Sequence, residues 1–358
     1  MTKGITVRQA CAMFMLATMP PAIRLFPSVG ARYAGAAGWL APVIGVIVPL
    51  VLAVILHALF KSGKFTDLHE AFNAAVGGFL AKILLTLYLV WTFALFLLYV
   101  RYYAERMASS LFASVNLDFF IIAMLLLVFL AARAKLAALA RFSEVAILIF
   151  AVALAVFALS LLPTLRLGNV MPVTHYDIAP VIRSSYPIVS VWGFITLFFF
   201  LKIDNAKDIK KQGVKTSLIL AGATVVMLFL VVGSLGPDVA ARMPRPFFQV
   251  SRLIDIMQSF DRFEAVLSSI LVIADFILIT AFVFIMMNIV KKLCGLSEAR
   301  FLAGPIVMLG YAGSLVIAAS TFELERVSNS PTPHAVNLVL CLVVPAVALA
   351  VGKARGRV

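Results

Sequence analysis

Asp275 is the residue whose chemistry stands out most, because it lies inside an otherwise apolar stretch. Its neighbours are Val272–Ala274 on one side and Phe276–Leu278 on the other. A carboxylate at membrane depth is costly unless it is paired, hydrated or protonated. Such a group suits proton coupling or a counter-charge for a ligand's ammonium group. The alternative is a structural hydrogen bond to a neighbouring helix, and the sequence favours the functional role.

Two consecutive prolines interrupt the first apolar stretch, Val7–Ser28, near its middle. Pro20 and Pro21 lack backbone donors and clash with the preceding turn, so a helix here must break or kink. Broken helices in a membrane expose backbone groups, which are tolerated where they line a cavity or meet protein. We therefore expect a discontinuous helix, with an ordinary proline kink as the alternative, and we place Thr18, Met19 and Pro20 among the ligand-binding candidates.

A second interruption lies in the stretch Tyr186–Leu201, where Gly193 sits at mid-span and Pro187 adds another weak point. One glycine in a membrane helix says little by itself. Its position matters more, since interrupted segments at matching places in two halves of a chain are typical of inverted-repeat transporters with a midplane site. The ligand-binding candidates in this segment are Ser190, Val191, Trp192, Gly193 and Phe194. Trp192 would offer an aromatic face to an apolar or cationic group.

Four further polar residues are weaker candidates. Tyr88 and Thr92 would line the inner wall of a pocket, although Tyr and Thr on apolar helices more often bond between helices. Glu144 and Arg24 are coupling or structural candidates. Glu144 follows Arg141 and is compatible with an interfacial ion pair, whereas Arg24 lies near a span end, from which its side chain can snorkel.

The motifs of soluble enzymes are absent from the sequence. It contains no phosphate-binding loop, no dinucleotide fingerprint and no His/Cys cluster, and its three cysteines lie far apart. We therefore expect no catalytic residues, no cofactor and no metal, and we do not expect an enzyme. The net charge of +14 comes from basic residues in short loops, which indicates membrane topology rather than nucleic-acid binding.

The elements that must position these residues are membrane helices. Apolar residues make up 63% of the chain and charged residues 13%, against about a quarter charged in soluble domains. Apolar runs of this length can cross the hydrocarbon core as helices. The predicted fold is all-α integral membrane with ten spans: Val7–Ser28, Trp39–Phe60, Phe79–Val100, Asp118–Ala132, Phe142–Leu162, Tyr186–Leu201, Thr216–Leu235, Phe263–Val290, Phe301–Ser320 and Val336–Val351.

The lysines predict the orientation of these spans. Cytoplasmic N and C termini put every lysine on the cytoplasmic side, including the cluster Lys202–Lys215, although eleven arginines fall outside. Two loops also carry helical signals. One is Lys64–Phe79, with Thr66 and Asp67 as cap residues. The other has apolar residues at helical spacing, namely Val250, Leu253, Ile254 and Met257.

Several segments in order resemble the B subunit of endospore germinant receptors, a branch of the amino acid–polyamine–organocation permease superfamily. These segments are Ile5–Gln9, Asp67–Leu68 through Gly77–Gly78 with Lys82, Ala140–Glu144, Asn169–Pro172, Arg245–Ile254 and Phe260–Ala265. The resemblance covers nearly the whole chain. It implies a five-plus-five inverted repeat, about 5–163 and about 177–352, within one domain of residues 1–358. It also implies discontinuous helices one and six, a nutrient pocket at their breaks, and assembly with A-type and C-type receptor subunits.

Two positions depart from the superfamily pattern. The first break usually has glycine-rich backbone, but here Thr18–Pro21 occupies it, which argues against capture of a carboxylate by backbone amides. Many relatives carry an acidic residue after the Gly-Phe of helix six, where this chain has Ile195.

The resulting expectation is a germinant-sensing subunit in the spore inner membrane or cell membrane that binds a small nutrient, such as an amino acid. The alternative is a proton- or cation-coupled amino acid transporter of the same fold. A structural subunit with a closed pocket is a third reading, given the apolar Val191, Trp192 and Ile195.

Overall fold

The computed structural model describes residues 4–61, 65–110, 115–204, 206–251, 263–318 and 320–357, and these form a helical bundle. Among them the strands are limited to Ile5–Thr6 and Ile203–Asp204. The helical spans are one, Val7–Ala34; two, Ala41–Gly45 with Ile47–Phe60; three, Gly78–Ser110; four, Leu117–Arg133; five, Leu136–Leu161; six, Ile178–Ser184 with Tyr186–Trp192 and Ile195–Phe198; seven, Ile209–Leu235; eight, Phe263–Cys294; nine, Ala303–Val316; and ten, Pro331–Leu338 continuing through Val339–Val343 to Val344–Ala354. Shorter α-helices outside the spans are Leu68–Val76, Pro237–Arg242, Pro246–Ser251 and Thr321–Asn329.

Length and hydropathy agree with the predicted ten spans. Within the described chain, six helical stretches are long and apolar enough to cross a membrane, or up to eight if two bent helix pairs each count as one. One of these stretches, Val7–Phe60, is 54 residues long and holds both span one and span two. Span four has 17 residues, and it fills the remaining place in the ten-span order.

Spans five and eight occupy opposite environments. Span five exposes a row of large apolar side chains, including Leu148, Val152 and Leu159, as a lipid-facing helix must. In span eight, 78% of the most apolar 18-residue stretch is buried inside the bundle. Span eight also contacts spans one, three, four and five. Asp275 therefore lies on a central helix, surrounded by protein.

Span one is helical throughout, with Pro20, Pro21 and Pro27 inside it. The predicted discontinuity at Met19–Ala22 is therefore wrong. The two prolines remove the hydrogen bonds to the carbonyls four residues earlier, but they do not end the helix. Span one packs against spans five, seven and eight, and this burial holds the helix in place without those bonds.

Span six is discontinuous, as predicted. It bends by 43° between Ser184 and Tyr186, and a turn at Gly193–Phe194 separates its last two helical pieces. Across the turn the bonds close three residues apart, with Phe194 N donating to Val191 O at 3.1 Å. A Cβ on Gly193 would lie 3.1 Å from the Cβ of Cys341, so the glycine permits the close approach of span ten.

Both chain ends lie on one side of the bundle, which we call the terminal side. The strand Ile5–Thr6 pairs in parallel with Ile203–Asp204, which ties the start of span one to the end of span six. The helix predicted within Lys64–Phe79 is present as Leu68–Val76, and Asp67 caps it by accepting from Glu70 N at 3.0 Å. The second predicted loop helix falls mostly on residues 252–262, outside the described residues.

Candidate functional site

A cavity of about 30 Å³ lies in the half of the bundle away from the termini. It is enclosed by the later part of span one, the later part of span three, the first half of span eight and the helix Pro246–Ser251. Its lining residues are Pro20, Ile23, Arg24, Tyr99, Tyr102, Arg106, Arg245, Phe248, Leu271 and Asp275. Three of the predicted site residues, Pro20, Arg24 and Asp275, are therefore brought together here.

Asp275 and Arg106 form a buried ion pair at the edge of the cavity. Nη2 of Arg106 contacts Oδ2 of Asp275, and the two side chains are 9% and 4% exposed. Nε of Arg106 has no hydrogen-bond partner among the described residues. A buried pair in this state gains less than a fully hydrogen-bonded pair for the same loss of hydration. Asp275 thus both lines a cavity and pairs with a neighbouring helix.

Arg24 points into the protein and does not snorkel outward. Its Nη2 donates to Oγ of Ser328 at 2.7 Å, and its Nη1 lies 3.4 Å from Oε2 of Glu325. Its guanidinium carbon lies 3.5 Å above the ring of Tyr102, close enough for a cation–π interaction. Arg24 thereby links span one to span three and to the helix Thr321–Asn329.

Arg245 contributes a third guanidinium from the segment between spans seven and eight. Its Nη1 donates to Oγ of Ser109, and burial lowers the pKa of Arg245 below its usual value, although Glu325 acts in the opposite sense. The cavity lining therefore holds three guanidiniums and one carboxylate, that of Asp275. This surplus of positive charge can attract a carboxylate, while Asp275 can attract an ammonium group.

The other candidates form a separate buried layer at the break of span six. Three side chains satisfy backbone oxygens there: the hydroxyl of Tyr88 donates to Leu340 O, Nδ2 of Asn337 donates to Ser190 O, and Thr196 donates as well. Thr196 Oγ1 donates to Cys341 O at 2.7 Å. The acceptors on span ten lie in its π-helical turn, Val339–Val343. Ser190 O at the break and the two carbonyls of span ten are thus bonded to side chains rather than left open to a ligand.

Trp192 and Thr92 are fully buried in this layer. Trp192 packs edge-on against Phe26 with ring centroids 6.3 Å apart. A Cβ on Gly45 would lie 2.5 Å from Cγ2 of Ile188 and 3.4 Å from the Trp192 ring, so Ile188 explains the glycine at this position. Nε1 of Trp192 and Oγ1 of Thr92 have no hydrogen-bond partner among the described residues.

The remaining predicted residues of this layer are also buried. Thr18 donates from Oγ1 to Met15 O at 2.8 Å, within its own helix, and Met19 and Val191 belong to the apolar core. Phe194 meets the ring of Tyr99 edge-on with centroids 6.2 Å apart. Because Tyr99 also lines the cavity, Tyr99 and Phe194 connect the buried layer to the Asp275 cavity.

Glu144 lies away from both the Asp275 cavity and the buried layer at the break of span six. Its carboxylate pairs with Arg8 at 2.8 Å and accepts from Nε2 of Gln9 at 3.2 Å. This ties span five to the start of span one on the terminal side. Arg141, the neighbour considered as its partner, instead donates to Ala137 O at 3.2 Å.

The sequence interpretation missed Arg106, Tyr99, Tyr102, Arg245 and Glu325. It ended span three at Val100 and counted the following arginines as loop charges, whereas the helix continues to Ser110. One signal was present, because Arg101 and Glu105 have the spacing of a helical ion pair and lie 3.1 Å apart. Extending the helix on that basis brings Arg106 to the level of Asp275.

Metal ligation has no support in the described residues, where no three His, Cys, Asp or Glu side chains come together as ligands.

The profile of a protein family described as spore germination protein, Spore_permease, matches residues 4–322. The curated proteins include no significant match. Among solved structures, the chain is similar to the crystal structure of MhsT in complex with L-phenylalanine, with a TM-score of 0.61 and 15% sequence identity, covering 96% of this chain and 97% of that one. At that identity the likeness shows the fold alone, which is a five-plus-five inverted repeat.

Proposed function

The chain belongs to the spore germination permease family, and on that basis we propose that this multi-pass membrane protein is a nutrient-sensing subunit that binds a zwitterion, such as an amino acid, at the Asp275 cavity. It would pass the binding event to A-type and C-type receptor subunits as a change in helix packing. That the chain is a permease-like membrane protein of this family does not depend on the cavity.

The observation that carries the proposal is the set of buried charges around the cavity. A carboxylate fits the planar guanidiniums of Arg24, Arg106 and Arg245, because arginine can bind it through two parallel hydrogen bonds. The ligand's ammonium group would pair with Asp275. Arginine side chains would thus take the role of free backbone amides, which span one does not offer because its helix is continuous through Pro20 and Pro21.

The volume of the cavity gives the proposal its signalling step. A space of about 30 Å³ holds about two water molecules, so an amino acid can enter only if the surrounding elements move apart. A ligand that binds the opened arrangement more tightly shifts the population toward it. The helix Thr321–Asn329, which is largely exposed and holds Arg24 through Glu325 and Ser328, lies beside the cavity, where such a shift would reach partner subunits.

The lysine distribution supports cytoplasmic termini. With this orientation the terminal side faces the cytoplasm, and the cavity lies in the outer half of the membrane. Nutrient would then arrive from outside through the side that carries Arg245 and Glu325.

The test is a thermal-shift screen of the purified protein against single L-amino acids, followed by nutrient dose–response curves in spores. We expect at least one amino acid to stabilise the wild type, and we expect Asp275→Asn to lose that shift and the response at normal membrane abundance. Glu144→Gln is the matched control, because it removes a carboxylate that lies outside the cavity, and it should keep both. Equal curves for Asp275→Asn and the wild type would remove Asp275 from the site.

A coupled transporter is the second candidate, favoured by the same ion pair. If Arg106 swung toward a bound carboxylate, Asp275 would be released to accept a proton, as coupling requires. Uptake of the stabilising amino acid into proteoliposomes decides between the two. Accumulation driven by a proton gradient supports transport, and binding without accumulation supports sensing.

A further inference from the structure

A second, larger space opens on the terminal side, separate from the Asp275 cavity. This basic cleft has a volume of about 1060 Å³ and lies between the ends of spans four and eight, the starts of spans five and nine, and the residues Gly4, Leu201 and Lys202. Its charged lining residues are Lys135, Arg141, Lys202, Lys291, Arg300 and Glu298. It shares no lining residue with the Asp275 cavity.

The cleft is strongly positive, since five cations face one carboxylate. Glu298 is 66% exposed and lies 3.8 Å from Arg300, so it offsets little of the charge in water. Three nearby carboxylates are engaged elsewhere: Glu144 pairs with Arg8, while Asp67 and Glu70 pair with Lys292, the residue after Lys291. Asp204 lies beside Gly4, at the Lys202 side of the cleft. Lys135, Arg141 and Lys291 form no ion pair with a carboxylate among the described residues, so they can bind an anion from outside the chain.

From this arrangement we infer that the basic cleft binds the phosphate headgroup of an anionic phospholipid. Basic pockets between membrane helices on the cytoplasmic side suit such headgroups, because each Lys or Arg near the surface adds attraction to an anionic lipid. The position fits, since the cleft lies where spans four, five, eight and nine meet the membrane boundary.

Exposed apolar residues beside the cleft favour a lipid over a soluble anion. Phe142 follows Arg141 and is 43% exposed, and Phe301 follows Arg300 and is 60% exposed. Span five continues this surface with Val145 and Leu148, which are also exposed. Acyl chains would lie along these side chains while the headgroup meets the cations, an arrangement that free phosphate or an acidic peptide would not use.

Binding there would hold two groups of elements together. Gly4 and Lys202 belong to the segments that join the start of span one to the end of span six, whereas Lys135, Arg141, Lys291 and Arg300 lie on spans four, five, eight and nine or their connections. A bound headgroup would bridge the two groups electrostatically. It would stabilise the closed arrangement of the terminal side.

The test uses the full-length purified protein in nanodiscs of phosphatidylcholine with and without phosphatidylglycerol. Retained lipids are counted by native mass spectrometry, and thermal stability is measured in parallel. The cleft variant is Lys135→Gln/Arg141→Gln/Lys291→Gln. The control variant is Lys210→Gln/Lys211→Gln/Lys215→Gln. It removes the same amount of charge from exposed positions at the start of span seven, which is on the terminal side but outside the cleft.

We expect the wild type and the control to retain phosphatidylglycerol and to gain stability from it, and the cleft variant to bind it roughly tenfold or more weakly. Equal retention by the two triple variants would overturn the inference. An equal gain in stability from inorganic phosphate or from polyglutamate in phosphatidylcholine nanodiscs would also overturn it, because the site would then take a soluble anion or an acidic chain. An intact response to nutrient in the cleft variant separates this result from the test of the Asp275 cavity.

Discussion

The two ends of the bundle hold their buried charges in different ways. Around the Asp275 cavity, Arg106 Nε and Glu325 Oε1 have no hydrogen-bond partner among the described residues. On the terminal side, Glu70 accepts from Thr66 N at 2.8 Å and from Lys292 at 3.2 Å, and Lys292 also pairs with Asp67 at 3.1 Å. Backbone bonds surround that network, with Leu68 N donating to Phe199 O at 2.7 Å.

The difference indicates which end is prepared to rearrange. A buried ion pair with unmade hydrogen bonds holds its closed arrangement weakly and can exchange partners when a charged ligand arrives. A network joined to the backbone loses several hydrogen bonds at once if it opens. We therefore propose that the cavity end responds to ligand and that the terminal end anchors the bundle.

The largest effect should follow from Arg106→Met, which leaves Asp275 buried without its cation. Removing one partner of a buried pair costs about 3–5 kcal/mol, and we expect a loss of that order in denaturant or thermal unfolding of the purified protein.

The double variant Arg106→Met/Asp275→Leu sharpens this prediction. Replacing both charges by apolar side chains should restore most of the stability, while the nutrient response stays absent because both ligand-facing charges are gone. A double variant that recovered the response as well would reduce the pair to a structural role.

Trp192→Leu tests whether the layer at the break of span six belongs to the site. Trp192 is fully buried against Phe26, so we expect a loss of about 2–4 kcal/mol from the lost packing. The nutrient concentration that gives half-maximal response should stay the same when curves are normalised to folded protein. A shifted midpoint would instead place the ligand at the break, as the sequence suggested.

Lys292→Met tests the anchoring end. It leaves the buried carboxylate of Asp67 without its cation, and Lys292 is itself 28% exposed, so we expect a smaller loss of about 1–2 kcal/mol. Nutrient affinity should not change, because the network lies far from the cavity. A change in affinity larger than the change in stability would contradict the division between the two ends.

The smallest expected effect is the loss of folding stability in acid that comes from protonating Glu70. Burial raises its pKa, but the bonds from Thr66 and Lys292 outweigh burial, so the pKa lies below its usual value of 4.5. A lowered pKa contributes stability that is present above 4.5 and lost as the pH falls through the folded value. Melting curves recorded from neutral pH to below 4.5 should therefore fall less steeply for Glu70→Gln than for the wild type. Identical slopes would show that the Glu70 contacts add no stability.

The sequence predicted the parts of the fold that depend on local signals, namely apolar runs and helix caps. Runs such as Phe142–Leu162 and the cap at Asp67 identified a membrane helix and a surface helix because each signal is local. The break at Gly193 was also predicted. The prediction failed at Pro20 and Pro21, because packing from three neighbouring spans, which a single segment does not reveal, kept the helix intact.

The site was only partly within reach of the sequence. Asp275 was recognisable as a carboxylate within an apolar run, but its partner Arg106 is 169 positions away and had been assigned to a loop. Glu325 and Ser328, which hold Arg24, come from another distant helix. Such pairings arise from tertiary packing and leave no spacing pattern along the chain.

The most direct test of the central claim is a structure of the protein with the amino acid that gives the largest thermal shift. We expect ligand density between Arg106 and Asp275, its carboxylate within hydrogen-bonding distance of Arg24, Arg106 or Arg245, in a cavity enlarged from about 30 Å³. Density beside Trp192 at the break of span six, with the Arg106–Asp275 pair unchanged, would contradict the account.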